Sequence, residues 1–365
     1  MGKKNGVTVS SNKIVIQSDE KLVLGIDTHK NSYHCALWSV ERQLVVEKWV
    51  QPADSVSMIK KLEPLAQHIR CAYYEAGPTG FELARRLMEH GFEVQVISPS
   101  HTPKAQQGPA KCDRLDACRL AEFGAKGMLR PVRIPSRQEE QRRQLTRTRQ
   151  QIVKKRTCVK TQIRSFLLFY GLPEPQGLKS WSQKAVAALR SMKIDEQLRL
   201  ILNLHLAELD HQCGQIKIIE SGLKNLAEDP AVAPKFDLLR SIPYFGPITA
   251  LTLLAEMPEP QRFSTSRQVS SYQSLAPHVE SSGESRKQMG LDKGGSRILR
   301  TVLIEAAWRW VSHDTKAAAM YRHYLGKTGL KQKAIVAVAR RLGIIAWRLL
   351  LTNEKYDSSR LAERG

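Results

Sequence analysis

Leu22-Val23-Leu24-Gly25-Ile26-Asp27 is an apolar run, interrupted only by glycine, that ends on a carboxylate. Consecutive apolar residues without alternation describe a strand buried on both faces, and the aspartate marks where that strand emerges at a sheet edge. Working outward, segments 34–39 and 44–49 read as the next two strands. Segment 55–67 carries Met58, Leu62 and Leu65 at helical spacing. Segment 69–74 is another strand, followed at once by Glu75; 80–90 reads as a helix and 92–97 as a fifth strand. A polar loop over 98–112 holds Pro99, Pro103, Gly108 and Pro109, and a helix opens near Asp113. Strands first, then strands alternating with helices, predict an α/β domain over 21–132, preceded by a flexible basic leader at 1–20.

The chain has 365 residues, 42% hydrophobic and 25% charged, an ordinary globular composition with enough apolar residues for a sizeable core. Its 57 Lys and Arg against 35 Asp and Glu give a net charge of +22. That excludes an acidic protein that avoids polyanions and makes nucleic acid the first partner to expect, with an anionic membrane surface second. No run of about 18 apolar residues exists, so no membrane span is expected. The first twenty residues lack the apolar centre of a signal peptide. Six cysteines, at 35, 71, 112, 118, 158 and 213, form no Cys-x-x-Cys pair, which argues against a zinc ribbon or a disulfide framework and for a reduced, cytoplasmic protein. No phosphate-binding loop of the GxxxxGK[ST] kind is present, so an ATP-driven reading has no support.

Beyond Pro131 and Pro135 the pattern changes. Segment 138–169 has no Gly or Pro, and Leu145, Ile152, Val159 and Phe166 recur seven apart. Gly171, Pro173, Pro175 and Gly177 end it; over 194–226, Leu202, Leu209, Ile216 and Leu223 repeat the spacing. Two such helices joined by a loop read as a long antiparallel coiled-coil arm or dimer element over 133–232, with a helical bundle packed on the core as the alternative. The first helix carries Arg142, Arg143, Arg147, Arg149, Lys154, Lys155, Arg156, Lys160 and Arg164, nine bases in 23 residues. A charge run is commonly a solvated face, but this one has almost no acids among the bases, which favours phosphate contact and steep salt dependence. The remainder, 233–365, reads as mostly α-helical, with short helices at 236–241, 248–257 and 266–275, a Gly- and Ser-rich loop over 276–295, and long helices at 298–311 and 332–351.

Three constellations carry chemistry. Asp27 and Glu75 end strands, and Asp113 and Asp116 sit three apart on one helical face. Four converging carboxylates repel one another unless a divalent metal intervenes, and two hard cations roughly 4 Å apart assist phosphoryl transfer. The bland alternatives are a solvated Asp-x-x-Asp face and a strand-end turn residue. His29, two residues past Asp27, reads as a neighbour of that site rather than a ligand. The second constellation, Ile242-Pro243-Tyr244-Phe245-Gly246-Pro247 between two helices, fits either a helix-hairpin-helix that offers backbone N–H groups to a phosphate or a plain αα-corner. The third is Pro277-His278-Val279-Glu280-Ser281-Ser282-Gly283 with Arg286, Lys287, Lys293, Arg297 and Arg300 nearby. It offers either a serine hydroxyl that reaches a scissile phosphate among stabilising cations or a loop that only binds DNA backbone.

Taken together, Gly25-Ile26-Asp27, Tyr74-Glu75-Ala76-Gly77 and Lys111-Cys112-Asp113-Arg114-Leu115-Asp116-Ala117 resemble the Asp-Glu-Asp-Asp set of the DEDD transposases. These belong to insertion-sequence family one-hundred-and-ten, with its eleven-eleven subgroup and the Piv-type DNA invertases. Ile242-Pro243, Gly246, Arg262-Phe263, Leu275-Ala276-Pro277, Ser282-Gly283, Lys293-Gly294 and Leu299-Arg300 resemble that family's C-terminal transposase domain. The likeness spans roughly 22–350. It departs from the family at Tyr244 and Phe245, where the turn usually reads Pro-Gly-Ile-Gly, at Ser274, and at Gly77-Pro78. The resemblance implies an N-terminal RuvC-like (RNase H fold) domain in which Asp27, Glu75, Asp113 and Asp116 bind Mg²⁺, two ions per site. It implies a nucleophilic Ser282, preferred over Ser281 by its place before Gly283, that forms a covalent 5′-phosphoserine link to DNA. It also implies dimers assembling to a tetramer with composite sites, and a structured non-coding bridge RNA that pairs with double-stranded donor and target DNA. A RuvC-like junction nuclease and a site-specific invertase are the neighbouring readings.

Overall fold

The computed structural model describes residues 7–9, 14–99, 113–282, 285–291 and 294–361. The chain divides into two compact units, Met1–Pro135 and Ser136–Gly365.

The first unit is built on β1 (Val7–Val9), β2 (Ile14–Ile16), β3 (Leu22–Thr28), β4 (Ser32–Ser39), β5 (Leu44–Pro52), β6 (Ile69–Glu75), β7 (Val94–Ile97) and β8 (Pro131–Val132), with helices α1 (Ser55–Leu62), α2 (Glu82–Glu89) and α3 (Asp113–Ala125). Six strands form one sheet in the order β5-β4-β3-β6-β7-β8. The first three are an antiparallel meander; β6 pairs with β3 in parallel, β7 with β6 in parallel, and β8 closes the edge antiparallel. The quoted run explains the layering. Leu22, Leu24 and Ile26 face a core that includes Met58 and Leu62 of α1 and Leu83 and Leu87 of α2. Val23 faces the opposite cluster, with Cys71, Tyr73 and Leu120 of α3. A strand covered by helices on both sides has no polar face, hence no alternation. In the stretch read as a leader, β1 and β2 pair antiparallel, Ile16 is buried in the first core, and the buried Glu20 accepts from Arg42 Nη2 at 2.6 Å and from the Gln17 N–H at 3.0 Å.

The second unit is largely helical: α4 (Arg137–Phe169), α5 (Gln183–Ser191), α6 (Glu196–Glu228), α7 (Ala233–Arg240), α8 (Pro247–Glu256), α9 (Ser266–Tyr272), α10 (Arg297–His313), α11 (Thr315–Thr328) and α12 (Lys331–Thr352), with one strand pair, β9 (Pro277–Ser282) and β10 (Ser285–Leu291). A capping box opens α4, with the Ser136 hydroxyl accepting from the Glu139 N–H and the Glu139 carboxylate from the Ser136 N–H. Helices α4 and α6, 33 residues each, run antiparallel, because Arg142 meets Asp229, Arg149 meets Glu220 and Phe166 meets His205. All four heptad residues of α6, three leucines and Ile216, are buried; on α4, Val159 and Phe166 are buried while Leu145 and Ile152 are half-buried. The near end leans instead on α8, through Leu145, Leu223, Val232 and Leu251, and Ala185 and Leu189 of α5 fill the far end. The remaining helices close around Trp310, Leu303, Val338 and Leu342. The segment read as a loop over 276–295 differs: it contains the β9–β10 hairpin, with a register shift between Gln288 and Leu291. Its Gly and Ser content hides the strands, because neither residue type favours extended pairing.

Candidate functional site

Parallel register sets Ile26 opposite Tyr74, so Asp27 and Glu75 follow side by side at the same end of neighbouring strands. Such strands lie about 4.8 Å apart, which brings the two carboxylates together on the edge where an α/β sheet exposes its working residues. Glycine sets the third element. A Cβ on Gly25 would overlap the carbonyl oxygen of Ala117 and stand 2.6 Å from the backbone N of Ala121. Helix α3 therefore rests on β3 through backbone, two residues before Asp27, and no other residue type permits that approach. Further along α3, Gly124 admits the ring of Tyr73 from β6, 2.5 Å from where a Cβ would stand. The contact at Ala117 holds the start of α3, with Asp113 its first residue and Asp116 directly before Ala117, beside the strand that carries Asp27 next to its last residue.

Asp27 Oδ2 lies 3.0 Å from His29 Nε2, and the His29 ring meets His34 edge to face at 5.4 Å. The sequence reading makes His29 a neighbour of the site rather than a ligand; His29 follows directly on the end of β3 and meets Asp27 from there. Asp116 stands 3.7 Å from Arg119, one turn along α3. Among the described residues, no group of three or more His, Cys, Asp or Glu side chains is close enough to hold a metal ion. The Asp113 side chain lies outside that description. The donors brought to this edge are carboxylate oxygens, the chemistry a hard divalent cation prefers.

In the second unit, Ser282 is the last residue of β9, its Cα paired with Ser285, while Ser281 pairs with Arg286 and Glu280 with Lys287. The hairpin's feet are fixed. On the near side, Leu275 and Ala276 donate to Ser270 O at 2.9 and 3.1 Å, and Arg340 Nε donates to Leu275 O at 2.9 Å. On the far side, Ser296 N donates to Tyr272 O at 2.7 Å, and Gly295 packs so closely on the end of α9 that a Cβ would stand 2.6 Å from the Ser274 N. Buried Gln273 donates to Gly343 O of α12. Gly283 and Lys293 lie outside the described residues; Arg297 and Arg300 sit in the first turn of α10.

The nine bases of α4 are not one free stripe. Arg147 makes a two-pronged pair with Glu256, at 2.8 and 3.0 Å, and Glu256 is only 2% exposed. Arg149 holds Glu220 at 2.6 Å, Arg142 holds Asp229 at 3.2 Å, Arg164 holds Glu174 at 2.8 Å, and Arg143 Nε donates to Ala255 O at 3.4 Å. Lys160 stands over the Trp181 ring at 5.1 Å, and Arg156 is half-buried. Lys154 and Lys155 remain exposed and make no ion pair among the described residues. A second basic signal appears in the structure. Helices α10 and α12 begin with Arg297 and Arg300, and with Lys331 and Lys333, and have no acid in their first turns. Cations at the positive end of a helix are unfavourable alone, by about 0.3–1 kcal/mol each, and become favourable against an anionic partner. Among the described residues no helix is long and apolar enough to cross a membrane.

Residues 24–171 match a family model for DEDD transposases of the IS110 type, and residues 236–322 match the Transposase IS116/IS110/IS902 family. The chain is 28% identical to the transposase for insertion sequence element IS1111A of Coxiella burnetii, over 97% of this chain and 98% of that protein. It is 26% identical to the transposase for insertion sequence element IS1328 of Yersinia enterocolitica, over 89% and 95% of the two chains. It is also 24% identical to the pilin gene-inverting protein of Moraxella bovis, over 78% and 80%.

Proposed function

We propose, from the premise that the chain belongs to the IS110/IS116 family of DEDD transposases, that it cuts and rejoins DNA with two groups of residues, a carboxylate edge and a serine. The observation that carries this reading is the adjacency of Asp27 and Glu75, with the start of α3 brought in by the Gly25 contact. Asp27, Glu75, Asp113 and Asp116 hold Mg²⁺, two ions per site. The bound metal supplies positive charge beside the phosphate undergoing attack. The His29 contact would orient the Asp27 carboxylate at this edge.

Ser282 is the nucleophile. Its Oγ attacks phosphorus; the new P–O bond forms as the bond to the 3′ oxygen breaks, leaving a 5′-phosphoserine and a free 3′ hydroxyl. The serine proton passes to a base at the site, and the departing 3′ oxygen takes a proton. Attack by another 3′ hydroxyl then reverses the linkage and frees the serine. Arg286, Lys287, Lys293, Arg297 and Arg300, on and around the hairpin, bind the surrounding phosphates.

The strand order, with an antiparallel meander leading into parallel strands, supports a RuvC-like (RNase H) domain over 21–132. The antiparallel α4–α6 pair supports a coiled-coil arm over 133–232, ahead of the transposase domain over 233–365. Specificity comes from a bridge RNA, with dimers joining as a tetramer in which the two domains of different subunits complete one site. The Moraxella bovis relative, a pilin gene-inverting protein, favours a second arrangement of the same chemistry, inversion rather than transposition.

The test incubates the purified chain with its element's RNA, Mg²⁺ and end-labelled junction DNA and looks for a protein–DNA adduct on denaturing gels. Wild type forms it; Ser282→Ala and Asp113→Ala do not. Nicked DNA without adduct, persisting in Ser282→Ala, defeats the serine mechanism and leaves a metal-dependent nuclease.

A further inference from the structure

We propose that the second unit carries a subsite for one nucleotide of an unpaired DNA strand, in the cleft between the start of α8, the middle of α4 and the length of α10 from Ile298 to Arg309. The proposal rests on the reading that this chain acts on DNA. The cleft encloses about 620 Å³, within the size range of small-molecule sites.

One wall is a phosphate cradle. Helix α8 starts at Pro247 behind Gly246, which supplies no side-chain cap, so the N–H groups of its first turn keep their positive end open. Thr249 is independent support. It is only 9% exposed, it lines the cleft, and among the described residues its hydroxyl has no hydrogen-bond partner. Thr252, one turn on, is satisfied by donating to Ile248 O at 2.7 Å. A hydroxyl without a protein partner on the wall of a cleft is available to donate to, or accept from, a ligand there. Lys154 and Arg309 line the same cleft, are exposed, and make no ion pair among the described residues. Glu305 is the opposing carboxylate; Arg149, also at the cleft, is engaged by Glu220. Two free cations and a helix start against one carboxylate favour an anion.

The other wall is aromatic. Tyr244 adopts φ +62°, a left-handed backbone that costs a bulky residue energy and persists only where the surroundings impose it. They do: Phe245 is fully buried, and Arg240 Nη1 donates to its carbonyl. The strained turn leaves the Tyr244 ring 47% exposed, stacked on His313 at 5.0 Å and 23°. Trp308, 42% exposed, tilts against Tyr321 at 5.6 Å. Open aromatic faces beside a phosphate cradle suit a strand whose bases are free to stack on protein; in a duplex those faces are already covered.

The experiment measures binding of the full chain, by fluorescence anisotropy, to a labelled single strand of about a dozen nucleotides and to the same sequence as duplex. Tyr244→Gly removes the ring where glycine is the preferred backbone, so its melting temperature matches or exceeds wild type. Tyr244→Gly, Trp308→Leu and Thr249→Val each weaken single-strand binding about tenfold and duplex binding less than twofold, while Thr249→Ser keeps wild-type affinity. Single-strand affinity within twofold of wild type in both aromatic variants, equal losses on duplex, or a tenfold preference for the RNA strand of the same sequence would overturn the proposal. Asp27→Asn separates the two readings. If it abolishes cleavage and binds single strand normally, both stand; if it still cleaves, the carboxylate reading fails and the subsite is judged on the other variants alone.

Discussion

Asp27 and Glu75 stand at the same end of strands that are bonded to each other and crossed by a helix in backbone contact, whereas Ser282 ends a strand whose one partner among the described residues is the other arm of its own hairpin. The first arrangement fixes the backbones that carry the carboxylates against one another. Every element that carries a carboxylate is locked to β3, by ladder hydrogen bonds or by the Gly25 contact. The second fixes only where the hairpin leaves the core, at Ser270, Tyr272 and Leu275. Groups that must share one cation need the first kind of support; a group that must approach a substrate held elsewhere is better served by the second.

The sharpest way to break this comparison is at the functional atoms. Asp27→Asn should reduce DNA cleavage at least about a thousandfold without changing DNA affinity, read by gel assay and anisotropy; cleavage within tenfold of wild type would remove Asp27 from the chemistry. Gly25→Ala comes next. Its methyl group has no space against Ala117, so the first unit should lose about 3 kcal/mol and cleavage should fall with it, while melting of the second unit is unchanged. Normal cleavage by a stably folded Gly25→Ala chain would show that α3 is not held as tightly as the contact indicates. Arg147→Ala leaves Glu256 buried without its partner and should cost the second unit about 3 kcal/mol, read by urea unfolding; Arg147→Ala with Glu256→Gln should recover part of it. The smallest effect is on pH. Burial raises the Glu20 carboxyl, but the Ser39 hydroxyl, the Gln17 N–H and Arg42 outweigh it and leave Glu20 below its ordinary 4.5. A carboxyl depressed in the folded state adds stability above its unfolded value and loses it as pH falls through the folded one. Acid unfolding of wild type should therefore steepen below about pH 4.5, and Glu20→Gln should flatten that limb.

The sheet was legible because Leu22 to Ile26 has one pattern under every covering, and the positions of Asp27 and Glu75 were legible because each follows an apolar run near where its strand stops. The glycine that positions α3 was visible as an anomaly in a strand, but its partner lies about ninety residues away, and one sequence cannot pair them. The same distance hid the acids that neutralise α4: Glu220 and Glu256 stand on other helices, so a run without local acids looked free. The hairpin was missed for a different reason. Its strands, Pro-His-Val-Glu-Ser-Ser and Ser-Arg-Lys-Gln-Met-Gly-Leu, are mostly polar and carry no apolar alternation to read.

The buried carboxylate that receives Arg147 has a mechanical side. Glu256 also accepts the Tyr272 hydroxyl on its carbonyl, at 2.6 Å, and its side chain lies 3.5 Å from the Ser296 hydroxyl. Tyr272 O in turn takes the Ser296 N–H that closes one foot of the serine hairpin. A helix of 33 residues is a lever about 50 Å long. Torque applied along α4 is thus delivered, through the Arg147 guanidinium together with the Arg143 and Leu145 contacts to α8, to the fulcrum on which the hairpin stands.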